Sequence, residues 1–81
     1  MARSDEHNRA ARERSREAIL RAAVDLFAER GVSGASIAEI TRRAGVAQGL
    51  ANYHFGNKER LIAAVLDRWF ETLFGIPQAE G

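Results

Sequence analysis

Residues 37–55, IAEITRRAGVAQGLANYHF, decide how this chain folds. Ile37, Ile40 and Ala44 recur at helical intervals, with Thr41 beside them on the same side. Ser36 stands just before this run and Glu39 three residues on. That is the S-x-x-E capping box, in which each side chain satisfies an orphan backbone N–H of the other residue. Gly45 stops the helix where a left-handed residue is needed, Val46 plugs the turn, and a second helix opens at Ala47 or Gln48. Two helices joined by a turn of three or four residues containing glycine make a helix-turn-helix.

The second of these helices has an unusual composition. Gln48 and Asn52 are four residues apart and share a face, Gly49 and Tyr53 share the next, and Ala51 and Phe55 point the opposite way. The outward side is polar and almost uncharged, which suits it to reading a flat polar surface. Gln48 and Asn52 can each pair bidentately with an adenine edge, Leu50 can meet a thymine methyl, and Gly49 allows close approach.

Working outward, residues 12–30 are expected to form the first full helix, with Ile19, Leu20, Ala22, Ala23, Leu26 and Phe27 on one face and Gly31 as its terminator. Beyond Met1, residues 1–14 lack any large apolar side chain and carry Arg3, Arg9, Arg12 and Arg14. They are expected to be a flexible basic arm, either reaching into a minor groove or merely solubilising. On the other side, Gly56-Asn57 is a turn signal, with Asn57 the expected N-cap of a last helix. Lys58 opens that helix against the macrodipole, a placement that makes sense if the helix points at a phosphate. Leu61, Ile62, Val65, Leu66, Trp69 and Leu73 read as its inward stripe, while Phe70 and Phe74 fall elsewhere and should be exposed. Residues 75–81 are a breaker-rich tail containing Gly75 and Pro77.

Composition narrows the function classes. Eighty-one residues make one small domain, and with no cysteine there is neither a disulfide framework nor a thiolate metal site. His7 and His54 are the only histidines and no cysteine can complete a zinc set, so neither a metal site nor a cofactor is expected. Neither a nucleophilic triad nor a phosphate-cradling glycine loop is present, which leaves an enzyme reading without support. No stretch has the length of a membrane span and residues 1–16 have no apolar signal core, so the cytoplasm is the default. The net charge of +1 is by itself ordinary, but residues 1–60 carry +3 and residues 61–81 carry −2. The positive excess therefore sits with the helix-turn-helix, as phosphate neutralisation would want. On charge alone, however, an imbalance this small is better read as a solvated surface.

The run AGVAQGLANYHFGNKERL resembles the N-terminal DNA-binding domain of tetracycline-repressor (TetR)-like transcriptional regulators. Ala44, Gly45, Val46, Gly49, His54, Phe55, Lys58 and Leu61 match the family pattern in register. Ile19, Leu20, Ala22, Ala23, Leu26, Phe27 and Gly31 match its upstream helix, so the likeness covers about residues 16–66 without a gap. The chain departs from the pattern at Ala35, Ala47, Ala51 and Asn52, where Thr, Ser, Leu and Tyr are usual. The resemblance implies an all-α, homeodomain-like domain of three to four helices over residues 15–74, acting as the DNA-binding part of a transcriptional repressor. It implies contact with double-stranded DNA at a palindromic operator, and it places His54 and Lys58 at phosphates. Gln48, Leu50 and Asn52 are the expected base readers, Ser36, Tyr53, His54 and Lys58 the expected phosphate ligands, and Gly49 the point of close approach. The family continues into a ligand-binding and dimerisation domain where this chain ends, so a homodimer is expected of a full-length protein and a weakly binding monomer of this chain. The rival expectation is a helical protein-interaction module that uses a Trp69, Phe70 and Phe74 surface and does not bind DNA.

Overall fold

The computed structural model describes the backbone of residues 2–75 and the side chains of residues 7–75. Four helices follow one another, α1 (Ala2–Arg30), α2 (Ile37–Ala44), α3 (Gly49–Phe55) and α4 (Lys58–Phe74), and no strand occurs among the described residues. This is the all-α helix-turn-helix architecture that the sequence predicts.

α1 is the platform, and each of the other three helices packs against it. Its apolar face does this work. Ile19, Leu20, Ala22, Ala23, Leu26 and Phe27 are all buried, joined by Ala35, Ile40, Ala51, Phe55, Leu61 and Val65 from the rest of the chain. The Ala22–Ala23 pair keeps that surface flat enough for short helices to lie close. Among the described residues, three ion pairs clamp the periphery. Arg68 forms a two-pronged pair with Glu17, tying α4 to α1. Arg43 does the same with Glu29, and Arg30 reaches Glu39, tying α2 to α1 from two sides. All are partly solvated, so water screens them and they serve orientation more than stability.

The junction between α2 and α3 is built as its residues dictate. Ser36 Oγ accepts from the Glu39 N–H at 3.1 Å, and Glu39 Oε1 accepts in return from the Ser36 N–H at 3.3 Å. Thr41 is buried, and its hydroxyl donates back to the carbonyls of Ile37 and Ala38. Gly45 closes the helix at φ 78°, its N–H donating to the Arg42 carbonyl while the Val46 N–H donates to the Thr41 carbonyl. This paired closure requires a left-handed residue, where any side chain would be strained.

Two expectations are corrected. α1 begins at Ala2, not at about residue 12, so the flexible arm expected over residues 1–14 is helix from its second residue onward. No Gly or Pro interrupts residues 2–30, and Ala, Arg and Glu dominate the first half, all of which hold a helix without a core to pack on. The other correction concerns α4. Leu66 and Leu73, read as inward, are 54% and 75% exposed, and Trp69 is 39% exposed. Only Leu61 and Val65 are buried, with Ile62 and Ala64 packed beside them. The line of α4 that continues from Leu61 along α1 carries Arg68 and Thr72, so Leu66 and Leu73, about 140° and 120° round the helix from Leu61, turn outward. Phe70 and Phe74 are exposed as expected and lie against each other at 4.6 Å between ring centroids. Residues 76–81 of the expected tail, and the side chain of Arg3, lie outside the described residues.

Candidate nucleic-acid interface

α3 is short, seven residues, and it has two anchors. Ala51 and Phe55 are 2% and 8% exposed and point into the core. At 100° per residue, their positions place Gly49 and Tyr53 on the opposite, outermost line of the helix, with Gln48 and Asn52 on one flank and Leu50 and His54 on the other. Burial follows that wheel. Gln48, Gly49, Asn52 and Tyr53 are exposed, Leu50 and His54 half-buried. No acidic residue lies in α3, so nothing on this face repels a polyanion.

Gly49 is informative because the protein does not need it. A Cβ built there meets no atom within 4 Å, and its φ is not positive. A glycine costs a helix about 1 kcal/mol relative to alanine. Its absent side chain clears space outside the protein, not inside it. Gln48, just before α3, has helical φ and ψ and makes no side-chain capping bond, leaving its amide unengaged at the helix mouth. Ala47, where the family pattern has a serine, supplies no cap either.

Lys58 is half-buried at the first position of α4. Asn57 caps that helix as expected, its Oδ1 accepting from the Arg60 N–H at 2.8 Å. Lys58 is the single cation among the eight expected contact residues.

Three of the expected contacts are placed differently. Leu50 packs partly against the core, so only a portion of its side chain can face a groove. Ser36 is exposed, but its hydroxyl is held inside the capping box and lies 3.4 Å from Glu39 Oε1, a carboxylate that disfavours a phosphate at that spot. His54 faces inward, its Nε2 at 2.6 Å from Ser15 Oγ of α1, with the Tyr53 ring edge-on at 5.0 Å between centroids. The two residues that engage this end of α3 are absent from the sequence reading. They are Ser15 and its neighbour Arg16, whose guanidinium lies 4.9 Å from the centre of the Phe55 ring. Nothing local signals either contact, because each joins residues 39 apart in the chain.

Burial, then the nearby charges of Arg16 and Arg12, push the His54 imidazole below its usual pKa. Folding therefore favours the neutral ring. Because the folded-state value is the lower one, this contribution is complete above the unfolded value near pH 6.5 and is lost as the pH falls through the folded value. The melting temperature should fall as pH is lowered from about 7.5 to about 5.5, and His54→Gln should flatten that slope. Glu17, Glu29 and Glu39, held low by hydrogen bonds from Arg68, Arg43 and Arg30 respectively, act only in a more acidic range. An unchanged slope in the variant would show that the ring titrates as freely folded as unfolded.

This geometry agrees with what the chain is similar to. The family model for bacterial regulatory proteins of the tetR family matches residues 19–65, from the core face of α1 to the last buried residue of α4. An HTH-type transcriptional repressor of Mycobacterium tuberculosis, Rv3405c, is 54% identical over 56 residues, which are 69% of this chain and 30% of the repressor. The HTH-type transcriptional regulator TtgR of Pseudomonas putida is 41% identical over 58 residues, 72% of this chain and 28% of that protein. The HTH-type transcriptional repressor KstR2 of Mycolicibacterium smegmatis is 33% identical over 60 residues, 74% and 29%. The chain thus spans less than a third of the length of these curated relatives. No solved structure gives a significant match. With its helix-turn-helix, its three-helix core and the whole matched segment in register, this chain belongs to the TetR family of bacterial regulatory proteins.

Proposed function

We propose that this chain is the DNA-binding part of a transcriptional repressor, with α3 lying in the major groove of double-stranded DNA. The observation that carries the reading is the outward face of α3, where Gln48, Gly49, Asn52 and Tyr53 are all exposed and uncharged while Ala51 and Phe55 hold the helix down. In this reading Gln48 and Asn52 meet base edges, Gly49 lets the backbone approach, and Tyr53 and Lys58 hold phosphates. Leu50 contributes the exposed part of its side chain to an apolar base contact, and His54 and Ser36 shape the interface from behind. Two copies read a palindrome whose half-sites are about 34–36 Å apart or a multiple of that. A longer, dimeric form of the protein in the cytoplasm would supply that pairing, and this chain alone binds weakly as a monomer.

Selection of bound duplexes from a random pool, followed by a gel-shift titration in salt, tests this directly. Lys58→Ala should weaken binding to every sequence and lower the salt slope by about 1. Its failure to alter the slope would remove Lys58 from the backbone contacts.

One observation favours a second reading. Leu66, Trp69, Phe70, Leu73 and Phe74 leave a contiguous stretch of α4 with exposed apolar side chains, as a protein-docking surface would. Tight protein association together with no duplex binding at low salt would favour an interaction module.

A further inference from the structure

The interface described so far is short of positive charge. Duplex affinity rests on Lys and Arg neutralising phosphates, yet Lys58 is the one cation among the eight expected contact residues. The flank of α3 that faces α1 supplies what is missing. Arg9, Arg12 and Arg16 follow one another at i, i+3 and i+7, within an arc of about 60° on α1. All three are exposed. Arg16 lies over the Phe55 ring at the end of α3, and Ser15 between Arg12 and Arg16 in sequence holds His54. Both guanidinium groups are close enough to His54 to disfavour its protonation, which puts their charge at the edge of α3.

Arg9, Arg12 and Arg16 are not held as Arg30, Arg43 and Arg68 are, although Arg16 lines clefts that also hold Glu13, Glu17, Asp67 and Glu71. Arg30, Arg43 and Arg68 are each taken up by a glutamate. Among the described residues no carboxylate comes within ion-pair distance of Arg9, Arg12 or Arg16, and the neighbouring Glu17 is held by Arg68. Residues 7–14 of α1 are exposed without exception, so core packing does not account for this extension of the helix.

We propose that the Arg12–Arg16 face of α1, continued by Arg9, is a second phosphate-gripping surface that holds the DNA strand bordering the groove on the α1 side of α3. Guanidinium groups suit this role, since each can present two N–H donors to one phosphate and stays charged throughout. The assignment rests on the DNA-binding reading above and extends it from α3 and α4 to α1.

The test is the salt dependence of duplex binding by the whole chain, using the sequence recovered from the random pool. Arg12→Ala and Arg16→Ala should each lower the slope of log affinity against log salt by about 0.9, and Arg16→Lys should restore it. Arg21→Ala is the control. It removes the same charge from the same helix, but Arg21 lines a cleft with Trp69 and Thr72, away from α3. Circular dichroism confirms that each variant is folded. Loss at Arg12 and Arg16 with an unchanged slope at Arg21 supports the assignment. Equal loss at all three makes the effect one of net charge and overturns it, as do unchanged slopes at Arg12 and Arg16. A wild-type chain that binds no duplex at low salt fails earlier, taking down the DNA-binding reading itself.

Discussion

Phe55→Ala should cost the domain about 3–5 kcal/mol, the usual range for deleting a buried phenyl ring. That is a large part of what a chain of 81 residues possesses, on the order of 4–12 kcal/mol. Phe55 is the bulkier of the two anchors of α3, since Ala51 contributes only a methyl group. Its ring fills space among α1, α3 and α4 and also underlies the Arg16 guanidinium, a contact worth about 0.5–1 kcal/mol where it is exposed. Removing it leaves a cavity that a seven-residue helix cannot close by shifting, because both its ends are fixed by tight turns. Urea denaturation should show a lower midpoint with little change in slope, and Phe55→Leu a smaller loss. A cost below about 1 kcal/mol would mean that α3 is held mainly by its turns.

Gln48→Ala is expected to leave stability within about 0.5 kcal/mol of wild type, because the side chain is exposed and makes no capping bond. Its effect should fall on recognition. An amide paired bidentately with one base contributes about 1–3 kcal/mol of discrimination, so preference at a single base pair should relax about 5- to 150-fold. The duplexes selected by the variant should differ from those of the wild type at that position alone. Equal weakening at every sequence would make Gln48 a general contact and shift base reading to Asn52. This contrast with Lys58→Ala, which should act on all sequences alike, separates specificity from affinity within one interface.

Local rules were sufficient for the helix-turn-helix itself. The capping box at Ser36 and Glu39, the left-handed Gly45 and the Asn57 cap each depend on neighbours within four residues, and each is formed as the spacing predicts. The split of α3 into Ala51 and Phe55 inside and Gln48, Gly49, Asn52 and Tyr53 outside is likewise a matter of helical angle. Periodicity was less informative for α4. A stripe through Leu66, Trp69 and Leu73 is as apolar as one through Leu61 and Val65, and nothing in the pattern says that the line through Arg68 and Thr72 is the one that faces α1.

The order of the four helices, the buried set on α1 and the exposed polar face of α3 were thus determined by residue type and spacing alone, because capping, glycine geometry and helical angle act over a turn or two. The inward turn of His54 toward Ser15, the seat of Arg16 on Phe55 and the outward turn of Leu66 and Leu73 on α4 were decided only by tertiary structure. Each depends on which surfaces meet across 39 or more residues, and that is not written in any local pattern.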